Sequence, residues 1–262
     1  MDYLSVLLFI RDEQPEYVTE FVDYYLGQGV DTVYFIEHQP NSIPLPDLHH
    51  TQVIYQAPIA KVQPYYYWLA LQEIKSEWCA VIDTDEFYVS KKLLVELLDN
   101  YKDYDALALN WLVFGCDHET RVFPVHGNYH MRTRYAYCSN RNIKCIVKPK
   151  AVQQKPTSPH YFNVKTVNTS HHLIETGVSN YVGDVARFNH YWTRSEEDWA
   201  ARMRRGEACN RAKRTWTDFA MLNAMCLYDP YPTTIIHADV GAFSSVGRAS
   251  ARHAEGSQVQ LL

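Results

Sequence analysis

Residues 78–87 read WCAVIDTDEF, an apolar run that ends in two aspartates one residue apart. The run from Trp78 to Ile82 predicts a strand buried on both faces, because it offers no polar side to solvent. Asp83 and Asp85 follow directly at the end of that strand. In open α/β sheets, ligands bind outside the carboxyl ends of the strands. The two carboxylates therefore lie where a functional site is expected.

The segments on both sides continue an α/β pattern. Apolar runs predict further strands at residues 5–10, 32–36, 52–55 and 106–113. Apolar residues at helical spacing predict helices at residues 17–26, 65–74 and 91–101. This alternation of strands and helices predicts an α/β domain, with a mostly parallel central sheet flanked by helices.

The rest of the chain is less regular. Between residues 114 and 182 the many Tyr, His, Asn and Pro residues predict loops with short antiparallel strands. Residues 196–225 return to helical spacing, with an interruption near Gly206. The small, polar and aperiodic stretch at 241–262 predicts a poorly ordered tail, so residues 1–240 are expected to form a single domain.

The composition narrows the classes of function. The 262 residues carry 25 Lys and Arg against 30 Asp and Glu, a formal net charge of −5, which argues against a nucleic-acid partner. No run approaches the roughly 18 apolar residues that would cross a bilayer, and the N-terminal MDYLSVLLFIRDE predicts a buried strand rather than a signal peptide. The six cysteines form no CxxC pair, which favours reduced thiols and a cytoplasmic protein.

The Asp83-Thr84-Asp85 motif has two interpretations. Two carboxylates on a turn can share a hard divalent cation, leaving the other coordination positions to water and phosphate oxygens. Alternatively, the motif is a solvated acidic turn or the first turn of a helix, where acidic residues are also favoured. The buried strand before the motif and the Glu-Phe after it favour the metal site.

Six blocks of sequence occur in one order along residues 4–210. They read IRDEQPEYVTEFVDYYLGQGVDTVYFIE at 10–37, EWCAVIDTDEFYV at 77–89, WLVFG at 111–115, IKCIVKP at 143–149, SPHYF at 158–162 and NHYWTRSEEDWAARMRRG at 189–206. In this order the blocks resemble glycosyltransferase family 92 and its bacterial, family-2-like relatives.

That resemblance implies a GT-A fold, a Rossmann-like nucleotide-sugar domain with a smaller antiparallel region on the acceptor side. It also implies metal-dependent, inverting transfer of a sugar from a nucleotide diphosphate, usually a UDP-sugar, to a hydroxyl of a glycan or lipid-linked glycan. Mn²⁺ or Mg²⁺ would be bound at Asp83-Thr84-Asp85. The chain departs from the family pattern at two places, which read EHQPNS at 37–42 and Met-Arg-Thr at 131–133.

Several residues outside the motif are candidates for the same site. His190 is the candidate third metal ligand, since neutral imidazole suits Mn²⁺; the alternative is a buried histidine bonded to backbone. The predicted donor-binding set is Arg11, Asp12, Glu13, Asp83, Thr84, Asp85, Lys144 and Arg194. A charged turn that caps the next helix is the alternative for residues 11–13, and a solvated strand face for Lys144. Most of the other cationic residues at 202–214 are expected to face solvent.

The general base is expected in the loop that follows strand 106–113. Asp117 is the first choice and Glu119 the second, because the loop leaves the same sheet edge as Asp83. The alternative is that both acids are simply solvated. His160, in SPHYF, is expected to have a structural or acceptor-site role.

Two hypotheses of different classes follow. The first is a glycosyltransferase of polysaccharide or glycoconjugate synthesis that uses a nucleotide sugar in the cytoplasm, with peripheral attachment to the membrane's inner face as an option. The second is a catalytically inactive module that binds a glycan or a nucleotide sugar. The intact Asp83-Thr84-Asp85 favours the enzyme, whereas the altered loop at 37–42 favours the module.

Overall fold

The computed structural model describes residues 2–58, 62–205 and 214–235, so the tail predicted at 241–262 lies outside the described residues. The elements are β1 (Leu4–Ile10), α1 (Pro15–Gly27), β2 (Thr32–Gln39), β3 (Thr51–Pro58), α2 (Gln63–Glu73), β4 (Trp78–Val81), β5 (Glu86–Ser90), α3 (Leu94–Leu98), β6 (Ala106–Val113), β7 (Met131–Thr133), β8 (Ile143–Val147), β9 (Thr166–Val167), β10 (Leu173–Ile174), β11 (Ala186–His190), α4 (Glu196–Arg205), α5 (Trp216–Asn223) and β12 (Cys226–Tyr228).

Within the described residues, ten strands form one curled mixed sheet. Its main order is β10-β9-β6-β8-β4-β1-β2-β3, and β11 joins β6 to β5. β1 is parallel to β2 and β4, β2 is parallel to β3, and β6 is parallel to β9 and β11. β8 runs antiparallel between β4 and β6. The predicted α/β class with a mostly parallel central sheet is confirmed, and a separate antiparallel pair, β7 and β12, lies outside that sheet.

The two faces of the sheet are covered by different helices, as the alternation of side chains in a strand requires. The even-numbered residues of β1 belong to a core cluster that includes the α1 residues Val18, Phe21, Val22 and Tyr25. Leu7 and Phe9 point to the other face and belong to a second cluster, which includes Tyr67, Ala70 and Leu71 of α2. A strand buried by helices on both sides explains why β1 reads as a continuous apolar run.

The predicted helices are present, but their ends differ: α1 and α2 begin two residues earlier than predicted, and α3 is shorter at both ends. The helix predicted at 91–101 consists of α3 followed by a 3₁₀ turn at Asp99–Tyr101. The helix predicted at 196–225 is represented by α4 and α5, and residues 206–213 between them lie outside the described residues. After α1, Gly29 adopts φ +85°, and a Cβ there would lie 2.5 Å from Val95 Cγ1. Only glycine fits this turn without strain.

Candidate functional site

A cavity opens where β1, β4 and β6 end. It is lined by most of the predicted donor-binding and metal-binding residues, namely Arg11, Glu13, Asp83, Thr84, Asp85, Lys144 and His190. Two predicted donor-binding residues, Asp12 and Arg194, line a neighbouring cleft instead. Five of the side chains that line the first cavity are Lys or Arg and three are Asp or Glu, an excess of two positive charges when histidine is neutral. Such a cavity suits a ligand with two negative charges.

Strand pairing brings His190 to Asp85, although 104 positions separate them in the chain. After the aspartates, β5 pairs antiparallel with β11, and the register sets His190 opposite Glu86. The Tyr191 N–H then donates to the Asp85 carbonyl oxygen at 2.8 Å. As a result, His190 Nε2 lies 3.5 Å from Asp85 Oδ1. The sequence pattern does not predict β5, whose first residue, Glu86, directly follows the acidic motif.

The Asp85 carboxylate is buried, but neighbouring side chains stabilise its negative charge. Its second oxygen, Oδ2, accepts a hydrogen bond of 2.8 Å from Arg202 Nη2 on α4. Burial by itself raises the pKa of Asp85, but His190 and Arg202 outweigh it and hold the pKa well below the usual value. Asp85 is therefore a carboxylate at neutral pH. Arg202 was expected to face solvent with the other cationic residues of this region, which is wrong, because its side chain is only 10% exposed.

Asp83 has a different environment. Lys144 Nζ lies 2.7 Å from Asp83 Oδ2 and 3.5 Å from Glu86 Oε2. β8 carries Lys144 to this position, because β8 pairs with β4 in a register that sets Ile146 opposite Ala80. Lys144 is 1% exposed, so the alternative of a solvated strand face is wrong. Burial lowers the pKa of Lys144, but Asp83 and Glu86 more than reverse that effect and raise it, so Lys144 stays charged.

Glu86 closes the turn that carries the two aspartates. Its N–H donates to the Asp83 carbonyl oxygen at 3.0 Å, and its Oε2 accepts from the Asp83 N–H at 2.9 Å. Its other oxygen, Oε1, is buried and has no hydrogen-bond partner in the described part of the chain. Burial raises the pKa of Glu86 well above its usual value in spite of Lys144. The sequence assigned no role to this residue.

Asp85 and His190 fit a divalent cation as a pair. Two ligand atoms bound at about 2.1 Å and at right angles to each other on one cation lie about 3 Å apart. The 3.5 Å between Asp85 Oδ1 and His190 Nε2 is close to that separation. No group of three or more His, Cys, Asp or Glu side chains among the described residues could hold a metal alone. Water and phosphate oxygens would have to complete the shell, as they do for Mg²⁺ at phosphate sites.

Arg194 and Glu13 connect the first turn of the chain to the aspartate turn. The Arg194 guanidinium binds Glu13, donates to the Thr84 carbonyl oxygen at 3.2 Å, and lies 3.9 Å from the centre of the Tyr17 ring. Its side chain is almost completely buried, and its backbone adopts φ +53°. Through these contacts Arg194 joins Glu13, in the turn after β1, to Thr84 in the aspartate turn.

The altered loop at 37–42 is attached to Asp12. Asp12 N–H donates to Asn41 Oδ1 at 2.8 Å, and Ser42 N–H donates to Asp12 Oδ1 at 2.6 Å. The Glu37 carboxylate accepts hydrogen bonds from the side chains of Gln39, Asn41 and Gln56. Asp12 and Glu37 thus hold this segment in place against the turn after β1 and against β3.

Of residues 37–42, His38, which lies near the end of β2, is the one that lines the cavity. Its ring packs against Phe9 with centroids 4.5 Å apart, and its Nε2 is buried without a hydrogen-bond partner in the described part of the chain. Burial, aided by the nearby charge of Arg11, lowers the pKa of His38 to about 4, so its ring is neutral near pH 7. In the sequence, only the departure from the family pattern at 37–42 points to this residue.

Asp117 and Glu119 line neither of the two clefts described above. Asp117 Oδ2 accepts the His130 N–H at 2.8 Å, and the His118 and His130 rings approach its carboxylate to 3.6 and 3.5 Å. The Glu119 carbonyl oxygen accepts the Glu197 N–H at the start of α4. The loop thus anchors α4, and the structure does not bring its acids to Asp85. His160 and Trp111 line the cavity instead.

Comparison with known proteins adds little. No protein-family model and no curated protein matches the chain. Among solved structures, 4-diphosphocytidyl-2C-methyl-D-erythritol synthase from Anaerococcus prevotii is 10% identical, with 66% of this chain and 93% of that chain covered and a TM-score of 0.37. HddC from Yersinia pseudotuberculosis, solved with GMP-PN, is 13% identical, with 67% and 94% covered and a TM-score of 0.36. Residues 1–349 of S. aureus TarS are 13% identical, with 58% and 48% covered and a TM-score of 0.34.

These likenesses are too distant to bear on activity. One further observation concerns membranes: none of the described helices is both long enough and apolar enough to span a bilayer.

Proposed function

We propose that this protein is a metal-dependent, inverting glycosyltransferase that moves a sugar from a nucleotide diphosphate, a UDP-sugar, to a hydroxyl of a glycan or lipid-linked glycan. The observation that carries the proposal is the Asp85–His190 pair, 3.5 Å apart inside a cavity with excess positive charge. A solvated acidic turn explains neither the burial of Asp85 nor the histidine that β11 brings to it.

The leaving group in such a transfer is a nucleoside diphosphate, which gains negative charge as the glycosidic bond breaks. A Mn²⁺ or Mg²⁺ ion bound by Asp85 and His190 would neutralise part of that charge without a proton transfer. Arg202 and Arg205 lie at the same cavity and would contribute positive charge from the side of α4. Arg205 Nη1 donates to the Arg11 carbonyl oxygen at 2.7 Å, which holds α4 against the turn after β1.

The nucleoside would bind at the end of the cavity formed by β1 and β2. Phe9 and His38 line it there, with ring planes tilted by 54° to each other, and would give a base apolar contacts. The sugar and its acceptor would then lie on the other side of the aspartate turn, where Trp111 and His160 line the cavity. Trp111 offers a flat apolar surface for a sugar ring.

The experiment is to measure release of nucleoside diphosphate from UDP-, GDP- and dTDP-sugars, with Mn²⁺, with Mg²⁺ and with EDTA. Release is expected from one class of donor and only with a cation. The variant Asp85→Asn should lower the rate by about 10²- to 10³-fold, since a bound cation contributes several kcal/mol to the transition state.

Asp103→Asn is the matched control, because Asp103 is exposed and precedes β6 at the opposite edge of the sheet. It should release nucleotide at the wild-type rate. Full activity of Asp85→Asn with an unchanged metal requirement would remove the aspartate from the mechanism. Tight binding of a nucleotide sugar without any release or transfer would instead favour the inactive binding module.

A further inference from the structure

His160 is held in one orientation at the acceptor end of the cavity. Its Nδ1 lies 2.9 Å from the carbonyl oxygen of Ile143, the first residue of β8. Its ring packs edge-on against Trp111, with centroids 5.2 Å apart. Its backbone N–H donates to Ser158 Oγ at 3.1 Å. A side chain held by two such contacts on an anchored backbone loses little further freedom when a ligand binds.

The bond to Ile143 determines where the proton of the ring lies. A carbonyl oxygen only accepts hydrogen bonds, so Nδ1 must carry the hydrogen. In a neutral ring Nε2 then carries the lone pair and can accept a proton. No described residue makes a hydrogen bond to Nε2, and the residue lines the cavity. Burial and the Lys144 charge lower the pKa of His160 to about 4, so the ring is neutral near pH 7.

The carboxylates that line the cavity are already paired with cations. Glu13 binds Arg194, Asp83 binds Lys144, and Asp85 binds Arg202. The order of the sheet also separates His160 from the nucleoside end. His160 is bonded to β8, the nucleoside end is formed by β1 and β2, and β8 and β2 lie on opposite sides of β4. His160 is thus a proton acceptor on the side of the aspartate turn where a hydroxyl would approach the sugar.

We propose that His160 is the general base of the transfer, a role that rests on the function proposed above. The oxygen of the acceptor hydroxyl forms a bond to the anomeric carbon, and the bond from that carbon to the diphosphate oxygen breaks. The bonding electrons leave on the diphosphate. The hydroxyl proton passes to His160 Nε2, while Nδ1–H keeps its bond to the Ile143 carbonyl. Water replaces the hydroxyl when the donor is hydrolysed.

The size of the effect follows from the strength of the base. General bases contribute about 10²- to 10⁴-fold, and the contribution falls when the pKa lies far from the working pH. His160 is a weak base, so its removal should lower turnover by about 10²-fold. The binding of nucleotide and cation should not change, since neither depends on Nε2.

The decisive variant is His160→Asn, because the asparagine amide nitrogen occupies the position of Nδ1 and can still donate to the Ile143 carbonyl. It keeps the structural hydrogen bond and removes the atom that accepts the proton. We expect hydrolysis of the donor identified for the wild type to fall by about 10²-fold, while the dissociation constants of UDP and Mn²⁺ stay within twofold. In His160→Ala, added imidazole should restore part of the lost rate.

His38→Ala is the matched comparison, since His38 also lines the cavity with an unpartnered Nε2. It should weaken UDP binding and show no rescue by imidazole. Three results would each overturn the assignment. They are near-normal turnover of His160→Asn, a loss of UDP affinity in that variant equal to its loss of rate, and no rescue of His160→Ala by imidazole. An inactive wild type that releases no nucleotide from any donor would refute the proposed function and, with it, the role of His160 as general base.

Discussion

Replacing Lys144 with Met tests the buried charges beneath the aspartate turn. Among the described residues, Lys144 is the only cation within 4 Å of Glu86, and the Glu86 side chain is fully buried. Asp83, its other partner, is 35% exposed and can be solvated when the ammonium is lost. Most of the cost should therefore come from Glu86. Removing one partner of a buried ion pair typically costs 3–5 kcal/mol, so we expect Lys144→Met to lower the free energy of unfolding by about 3 kcal/mol at pH 8.

The cost should depend on pH in a defined direction. Burial raises the pKa of Glu86 above its value in the unfolded chain, and loss of Lys144 raises it further. The folded state then binds a proton more tightly than the unfolded state, so stability is greatest below the unfolded pKa and declines as pH rises through the folded one. The destabilisation by Lys144→Met should therefore be smaller at pH 5.5 than at pH 8, by about 1 kcal/mol or more.

Urea denaturation followed by tryptophan fluorescence at both pH values measures these differences. Two second-site variants separate the partners. Glu86→Gln should recover much of the stability that Lys144→Met loses, whereas Asp83→Asn should recover little. A cost below about 1 kcal/mol at pH 8, or better recovery with Asp83→Asn than with Glu86→Gln, would refute this reasoning.

Three further changes have distinct expected results. His190→Ala should weaken Mn²⁺ affinity by about tenfold or more with little change in Tm, measured by calorimetry; unchanged affinity with a large loss of Tm would make His190 a core residue. Arg194→Met should cost about 1–3 kcal/mol in urea denaturation, because it removes the nearer of the two cations beside Glu13 and leaves Arg205 at 3.7 Å, and a cost near zero would contradict that. Gly29→Ala should cost about 1–3 kcal/mol, since its Cβ would meet Val95 at 2.5 Å in a positive-φ backbone. Gly27→Ala, with nothing within 4 Å, is its control and should cost less.

Local sequence was a good guide to the strands of the sheet. The strand predicted at 106–113 is β6 as observed, and those predicted at 5–10 and 78–82 differ from β1 and β4 by one residue at one end. Each is an apolar run enclosed by helices or other strands, and a strand buried in this way consists mainly of apolar residues. β5 is not predicted, because it is short and both of its end residues, Glu86 and Ser90, are polar.

The site was predicted only in part. Asp83, Asp85, Lys144 and His190 do line one cavity, and their sequence context pointed to them. Asp117 is the predicted base because it follows the carboxyl end of β6, but in the structure its carboxylate accepts the His130 N–H. A position after a strand end fixes where the following loop starts. The direction in which that loop runs depends on contacts with distant residues, which no local pattern contains.

The sequence by itself determined that Asp83 and Asp85 follow a buried strand of an α/β sheet, since hydrophobic periodicity and the acidic motif are both local. Only the tertiary structure decided their partners. The register of β5 with β11 brings His190 to Asp85, and antiparallel β8, inserted between β4 and β6, brings Lys144 to Asp83. The physical reason is that a buried strand must consist of apolar residues, which is visible in its own sequence. Which strand it pairs with, and in which register, depends on contacts between residues far apart in the chain.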